Sequence, residues 1–342
     1  MSQTIKLIGA PQSPYSRKMR AAMRYRRIPY QWLRQGSEAT QGQPPVKLAS
    51  MIPVLWFAHE DASKDTAMLD STFQLQHLET LFSERSLVPD DAVVHFFNQL
   101  FEDFADEWMT KPMFHYRWHE QQDIDKAGTI LPLEARWCQS DDDVAPMQKM
   151  FAERQVGRLG VVGSNDVTKP LIEESYSNIL AELNGILSQQ PFVMGQRPGA
   201  ADFAIYGQLI CLALFDPTPA SIALREAPRV YAWVEAMEDT SGELISDDGW
   251  LKREQLAEMW SPLLQEIGRT YVPFLLGNAA ALQAGDEQVD CMIDGRRWVQ
   301  KPFPYQGKCL VWLKEAFDAL NETDQAFALQ VMQGSGCEVL FS

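Results

Sequence analysis

The chain holds little cysteine, and none of it falls in a motif. Cys138, Cys211, Cys291, Cys309 and Cys337 are scattered and odd in number among 342 residues, with no Cys-x-x-Cys spacing. That argues against a disulfide framework or a cysteine-built zinc site and fits a reducing compartment. Long apolar runs are also missing. None approaches the roughly 20 residues that span a bilayer, and the run IYGQLICLALF is short and interrupted by Gln208. MSQTIKLIGA shows no basic start ahead of an apolar stretch, so no secretory signal is expected. Repeats and low-complexity tracts are not seen. His-Glu-x-x-His is absent as well, which leaves His115 and His119 at i,i+4 without an evident third ligand, and no metal is expected. Positive charge is scarce: 30 Lys and Arg stand against 46 Asp and Glu, a net charge of −16. Such a surface repels a phosphate backbone, so nucleic acid is not an expected partner. A cytoplasmic chain with no membrane partner is the expectation.

What is present is enough sequence for two domains or more, with an ordinary apolar fraction of 46%. The charge is uneven. Residues 1–85 hold 11 basic and 7 acidic side chains, and the remainder holds 19 and 39. A mildly basic first segment reads either as a solvated helix face or as a seat for a small anion.

The first segment has a clear order. IKLIG (5–9) reads as a strand. Ser13-Pro14 reads as a helix start, with Ser as N-cap and Pro at the first helical position. Met19, Ala22 and Met23 follow at helical spacing. YQWLR (30–34) reads as a second strand and QGSEATQGQPP (35–45) as loop. IPVLWF (52–57) and AML (67–69) read as a hairpin, and Asp70-Ser71 opens a helix to about Phe82. ERSLVPDD (84–91) is a plausible linker. Helical patterns then fill 93–118 (one long or broken helix), 144–160, 170–189, 200–214, 228–239, 250–283 and 307–332. VDCMI-DG-RRWVQ (289–300) interrupts them as a hairpin around Asp294-Gly295.

Three short features carry possible chemistry, and each has a plain structural reading beside it. Ser13 is an N-cap by default. The same helix start offers free N–H groups and partial positive charge, which stabilise a ligand thiolate. Ile52-Pro53 is an ordinary strand-start proline, or a cis proline that turns the Ile52 backbone toward a peptide ligand. Asp70-Ser71 is an N-cap pair, or a grip in which Ser71 and the helix amides take a carboxylate while Asp70 accepts from an ammonium.

In glutaredoxins, Cys-Pro-Tyr-Cys occupies the strand-to-helix junction held here by Ser13-Pro14-Tyr15-Ser16. Taken in order, Ser-Pro-Tyr at 13–15, Ile52-Pro53-Val54-Leu55 and Asp70-Ser71 resemble the glutathione transferase superfamily. FVMGQRPGAADFAIYGQL (192–209) resembles its buried capping motif through Gly195, Ala201 and Asp202, and Ala227-Pro228 … Trp233 is similar too. The resemblance covers residues 5 to about 240. It implies an α+β thioredoxin-like N-terminal domain (1–84) and an all-α glutathione-transferase C-terminal domain (92–240); residues 241–342 run past the family pattern and are expected as an extra helical and hairpin extension packed on the helical domain.

The resemblance further implies glutathione as co-substrate, with Ser13 as the catalytic residue holding its thiolate. Tyr15, Ile52, Pro53, Asp70 and Ser71 would line the glutathione site. Trp108 and His115, within FEDFADEWMTKPMFHYRWHE, would face a small apolar electrophile, and a homodimer is expected. Related outcomes of the same thiolate are ether cleavage, dehalogenation and peroxide reduction; the rival is a non-catalytic binding protein. Two departures stand out. Met51 occupies the place where several members carry Lys or Gln for the glycyl carboxylate, leaving Lys47 as the substitute. Gly199 stands at the capping Ser/Thr position.

Overall fold

The computed structural model describes residues 4–48 and 51–341. The aliphatic start of the chain forms β1 (Thr4–Gly9), with Ile5, Leu7 and Ile8 buried. Ser13 caps α1 (Pro14–Tyr25): its hydroxyl accepts from the Ser16 amide, and Pro14 sits where no N–H is required. β2 (Gln31–Arg34) runs parallel to β1, β3 (Val54–Ala58) antiparallel to β1, and β4 (Thr66–Met68) antiparallel to β3. The sheet order is β2-β1-β3-β4, and α2 (Ser71–Leu81), capped by Asp70, completes a thioredoxin-like domain. The Ile52-Pro53 peptide is cis.

The helical domain comprises α3 (Ala92–Glu107), α4 (Thr110–His119), α5 (Gln121–Leu133), α6 (Asp141–Val156) and α7 (Lys169–Ile186). It continues with α8 (Ala200–Leu209), which runs on as a π-helical turn Ile210–Phe215, then α9 (Pro217–Glu226) and α10 (Pro228–Met237). The expected helix over 93–118 is broken at Trp108-Met109. Two helices were not expected. α5 contains Pro132 and a sparse apolar pattern, and α9 opens on Pro217 and Pro219. Both α9 prolines lie in the first turn, where their missing N–H groups remove no helical bond. No single helix among the described residues is long and apolar enough to cross a membrane.

The extension adds α11 (Arg253–Glu266), a π-helical turn Ile267–Tyr271, and α12 (Val272–Ala284). The expected hairpin follows as β5 (Val289–Ile293) and β6 (Arg296–Gln300). Its turn residues Asp294 and Gly295 have φ of 50° and 70°, the left-handed pair that a two-residue turn of this kind requires. α13 (Pro304–Asp318) and α14 (Glu322–Met332) end the order, and both pack on α3 while α11 packs on α7. One apolar core runs through all three parts. Phe96, Phe97, Phe101 and Phe104 of α3 are buried in it together with Trp260 and Trp298 of the extension.

The basic face of α1 is engaged by an acid of the helical domain. Arg17, Arg20 and Arg24 converge on Glu238, just past α10, with Arg17 at 2.7 Å. These ion pairs tie the thioredoxin-like domain to the helical one.

Gly199 has a steric explanation. Asp202 accepts from the Gly199 amide at 2.9 Å, and Asn98 of α3 accepts from the Ala201 amide at 3.0 Å, doing the work of the missing capping hydroxyl. A Cβ at position 199 would collide with Asn98 Oδ1 and sit 2.8 Å from Met194 Cγ. Restoring the familiar hydroxyl with Gly199→Ser therefore lowers stability by about 1–3 kcal/mol, the usual range for overpacking. Urea unfolding reads this directly; a rise in midpoint would show that Asn98 yields its place.

Candidate functional site

A cavity of about 910 Å³ lies between the thioredoxin-like domain, α3–α4 and the extension. Tyr15, Ile52, Pro53, Asp70 and Ser71 line it; Ser13, Trp108 and His115 do not. Ser13 is half-buried at the head of α1. Ser16, the second hydroxyl of the Ser-Pro-Tyr-Ser run, is buried against Gly9 and accepts from the Ala10 amide at 3.3 Å, so it braces the β1–α1 turn.

The cavity face of the helical domain follows one helical stripe: Gln99, Glu102, Asp103, Asp106, Glu107, Thr110 and Phe114. Trp108 and His115 fall on the adjoining faces and point into protein. Trp108 donates from Nε1 to Ser175 Oγ at 2.9 Å and packs among Tyr271, Phe274 and Trp298. His115 has its ring nitrogens against Ser164 Oγ at 2.7 Å and Glu173 at 3.4 Å, and burial lowers its pKa to about 4. The expectation that this pair faces a second ligand is thus replaced by Phe114 and the acidic stripe. Aromatic character was the wrong signal for that wall; the stripe itself is legible as a 3–4 spacing of polar residues.

Asp70 has φ of 76°, uncommon for a residue with a Cβ and characteristic of strained functional positions. One carboxylate oxygen accepts from the Thr72 amide at 3.2 Å. The other accepts from the phenol of Tyr305, at the start of α13, at 2.5 Å. The extension therefore reaches the thioredoxin-like domain as well as the helical one, and Phe73 on α2 meets Trp312 on α13 edge to face. Gln74 is buried behind the wall and donates to the carbonyls of Pro53 at 2.9 Å and Met68 at 2.8 Å, fixing the turn against β4.

Lys18 is buried behind the acidic stripe. It donates to Glu102 at 2.7 Å, Asp106 at 2.5 Å and the Thr72 hydroxyl at 3.4 Å. Burial works against its charge, but Asp106 and Glu102 outweigh that and raise its pKa. The Tyr15 phenol donates to the Asp106 backbone carbonyl at 2.9 Å, and burial pushes its pKa well up. Burial also raises the acids of the stripe: Asp106 to about 6, Asp103 to about 7 and Glu107 to about 8. Lys111, deeper in, is lowered by burial to about 7; it donates to Gln300 at 2.9 Å and lies 3.8 Å from the Phe274 ring centre. At the rim, Met51 is half exposed and Lys47 is exposed beside it. Among the described residues, no group of three or more His, Cys, Asp or Glu is placed to hold a metal ion.

Lys18, Gln74 and Thr72 lie within motifs the sequence exposes, since Lys18 shares a helical face with Tyr15 and Ala22. Tyr305 and Gln306 carry no local signal at all.

A thioredoxin-like sheet followed by a helical domain, with a ligand-sized cleft between them, defines a two-domain protein of the glutathione-transferase type. Residues 7–86 match the glutathione S-transferase N-terminal domain and residues 165–236 the glutathione S-transferase C-terminal domain. Over these two stretches the chain is similar to the glutathione S-transferase superfamily. Solved structures similar to it include a Tau class glutathione S-transferase from mango (20% identity, 75% of this chain and 96% of that one, TM-score 0.42). Others are a glutathione S-transferase from Methylobacterium radiotolerans in complex with glutathione sulfonate (16%, 71% and 98%, 0.41) and a beta-etherase from a Sphingobium strain (17%, 68% and 94%, 0.46). No curated protein matches the chain.

Proposed function

We propose that the chain binds glutathione in this cavity, stabilises its thiolate and directs it at an electrophile. The observation that carries the reading is the gathering of Ile52, Asp70 and Ser71 on one cavity wall, at the free amide end of α2. Those groups suit the parts of the tripeptide. The Ile52 backbone pairs with the cysteinyl unit. Ser71 and the α2 amides take the γ-glutamyl carboxylate, and Asp70 takes its ammonium. Lys47 stands where the glycyl carboxylate would end, beside Met51. The start of α1, with Ser13, supplies the field that favours thiolate over thiol. Five unpaired cysteines agree with work in a reducing, cytoplasmic setting.

Ser13 lying outside the cavity lining favours a second reading, binding without activation. Thiolate ultraviolet absorbance of the bound tripeptide separates the two. Activation predicts that the bound thiol titrates about one unit or more below its free value near ~8.5, and that Ser13→Ala returns about one unit of that shift and costs roughly tenfold in turnover. A bound thiol that titrates as it does free in solution would establish binding alone.

A further inference from the structure

The electrophile expected from the family resemblance is apolar, but the wall it would meet is acidic. Among the acids of the stripe, Glu102 and Asp106 each give one oxygen to Lys18, and Asp103 accepts from the Tyr271 phenol at 2.5 Å. Neither Asp103 nor Glu107 has an ion-pair partner among the described residues. Of the basic residues in the lining, Lys47 and Arg158 are exposed at the rim. Lys111 donates to Gln300 and the Val162 carbonyl and lies over the Phe274 ring, forming no ion pair with Glu107.

A second, independent observation comes from the extension. Gln306 on α13 is 3% exposed and lines the cavity. Its Nε2 donates to the Glu107 backbone carbonyl at 3.2 Å, which fixes the amide's orientation and leaves Oε1 without a partner. Asp106 Oδ1 is the other unpartnered buried side-chain atom of the described lining. Both are acceptors. Groups of this kind are normally satisfied when buried.

The rest of the lining is apolar or aromatic: Phe114, Val161 and Val162 on one side, Trp312 and Leu313 on the other. We propose that the second ligand carries a protonated amine on an apolar or aromatic body, with its ammonium seated among Asp106, Glu107 and Gln306. This rests on the glutathione reading and narrows its substrate class.

Proton linkage follows from the neighbours. Asp106, on α3, faces Lys18, Glu102 and Asp70. Glu107 faces Asp103, Asp106 and Lys111 from α3–α4, Tyr15 from α1, and Gln306, Tyr305 and Cys309 from α13. Asp103 faces Glu102 and Asp106, with Tyr271 and Cys309 from the extension. Every group the extension sets against this wall is neutral: a phenol, an amide or a thiol whose pKa burial raises. With Glu107 held at about 8 by burial, it is largely protonated at neutral pH. A bound cation favours the carboxylate and drives that proton off.

The test titrates the full chain with phenylbutylamine, the neutral phenylbutanol and the anionic phenylbutyrate, each with and without saturating glutathione, in buffers of different ionisation enthalpy. The amine is expected to bind roughly tenfold or more tighter than the alcohol, to keep that preference with glutathione present, and to release protons. The alcohol releases none, and phenylbutyrate binds weakest. Glu107→Gln and Gln306→Leu should each narrow the amine-to-alcohol ratio, and Glu107→Gln should abolish the proton release. The wild-type comparison stands even where a variant fails to fold. An amine that binds no tighter than the alcohol, or not at all, overturns the inference. Titrating glutathione alone keeps the two readings apart. Glutathione binding without amine preference removes only this inference; amine preference without glutathione binding removes the glutathione reading.

Discussion

Replacing Lys18 with Met lowers the unfolding free energy by about 3–5 kcal/mol, the range for removing one partner of a buried ion pair. Lys18 is fully buried and holds two carboxylates, Glu102 at 2.7 Å and Asp106 at 2.5 Å. Met fills the volume and supplies no charge, so the two acids are left uncompensated beside Asp103 and Glu107. Urea unfolding with an unchanged slope measures the effect. Its pH dependence has a definite sign. The folded pKa of Lys18 is raised, so its contribution is complete below its ordinary value and fades only in strong alkali. In the variant the lowering by Lys18 is gone, so Asp106 takes up its proton at a higher pH than in the wild type and eases the repulsion, and the gap to the wild type narrows as pH falls. A loss under about 1 kcal/mol at neutral pH would mean that the acids are already neutral or find another cation.

Asp70→Asn is expected to weaken glutathione binding by about 1.5–3 kcal/mol, the worth of a hydrogen bond to a charged group, or roughly 10- to 150-fold in Kd. Asn is the informative change. It tolerates the left-handed backbone at φ of 76° and can still cap α2 through Thr72, so the fold is kept while the charge goes. Asp70→Ala would lose the cap and strain the backbone as well, mixing two effects. Calorimetric titration of glutathione into wild type and variant, with S-methylglutathione as control, decides it. Unaltered affinity in Asp70→Asn would sink the γ-glutamyl assignment.

What the sequence discloses here is whatever local chemistry controls. Ser13-Pro14, Asp70-Ser71 and Asp294-Gly295 each set a cap or a turn within a few residues, and each appears where expected. The helices α5 and α9 stayed hidden because Pro132, Pro217 and Pro219 mask a helix whenever their exact place in its turns is unknown. Trp108 and His115 misled for another reason. Which face of a helix meets a cleft depends on what packs against the opposite face; for Trp108 that partner is the extension, and for His115 it is α7 and the loop before it. Trp298, which closes over Trp108, lies 190 residues further on. Gly199 looks like a degraded motif until Asn98, a hundred positions earlier, is seen in the space the side chain would need.

The Tyr305–Asp70 bond joins residues 235 positions apart. A ribosome adding about 5–20 residues per second needs on the order of tens of seconds to cover that interval. Through much of that time the thioredoxin-like unit and α3–α4 hold their walls of the pocket while the α13 wall is still missing. Completion of the pocket thus waits on α13, which is made long after the walls it closes over.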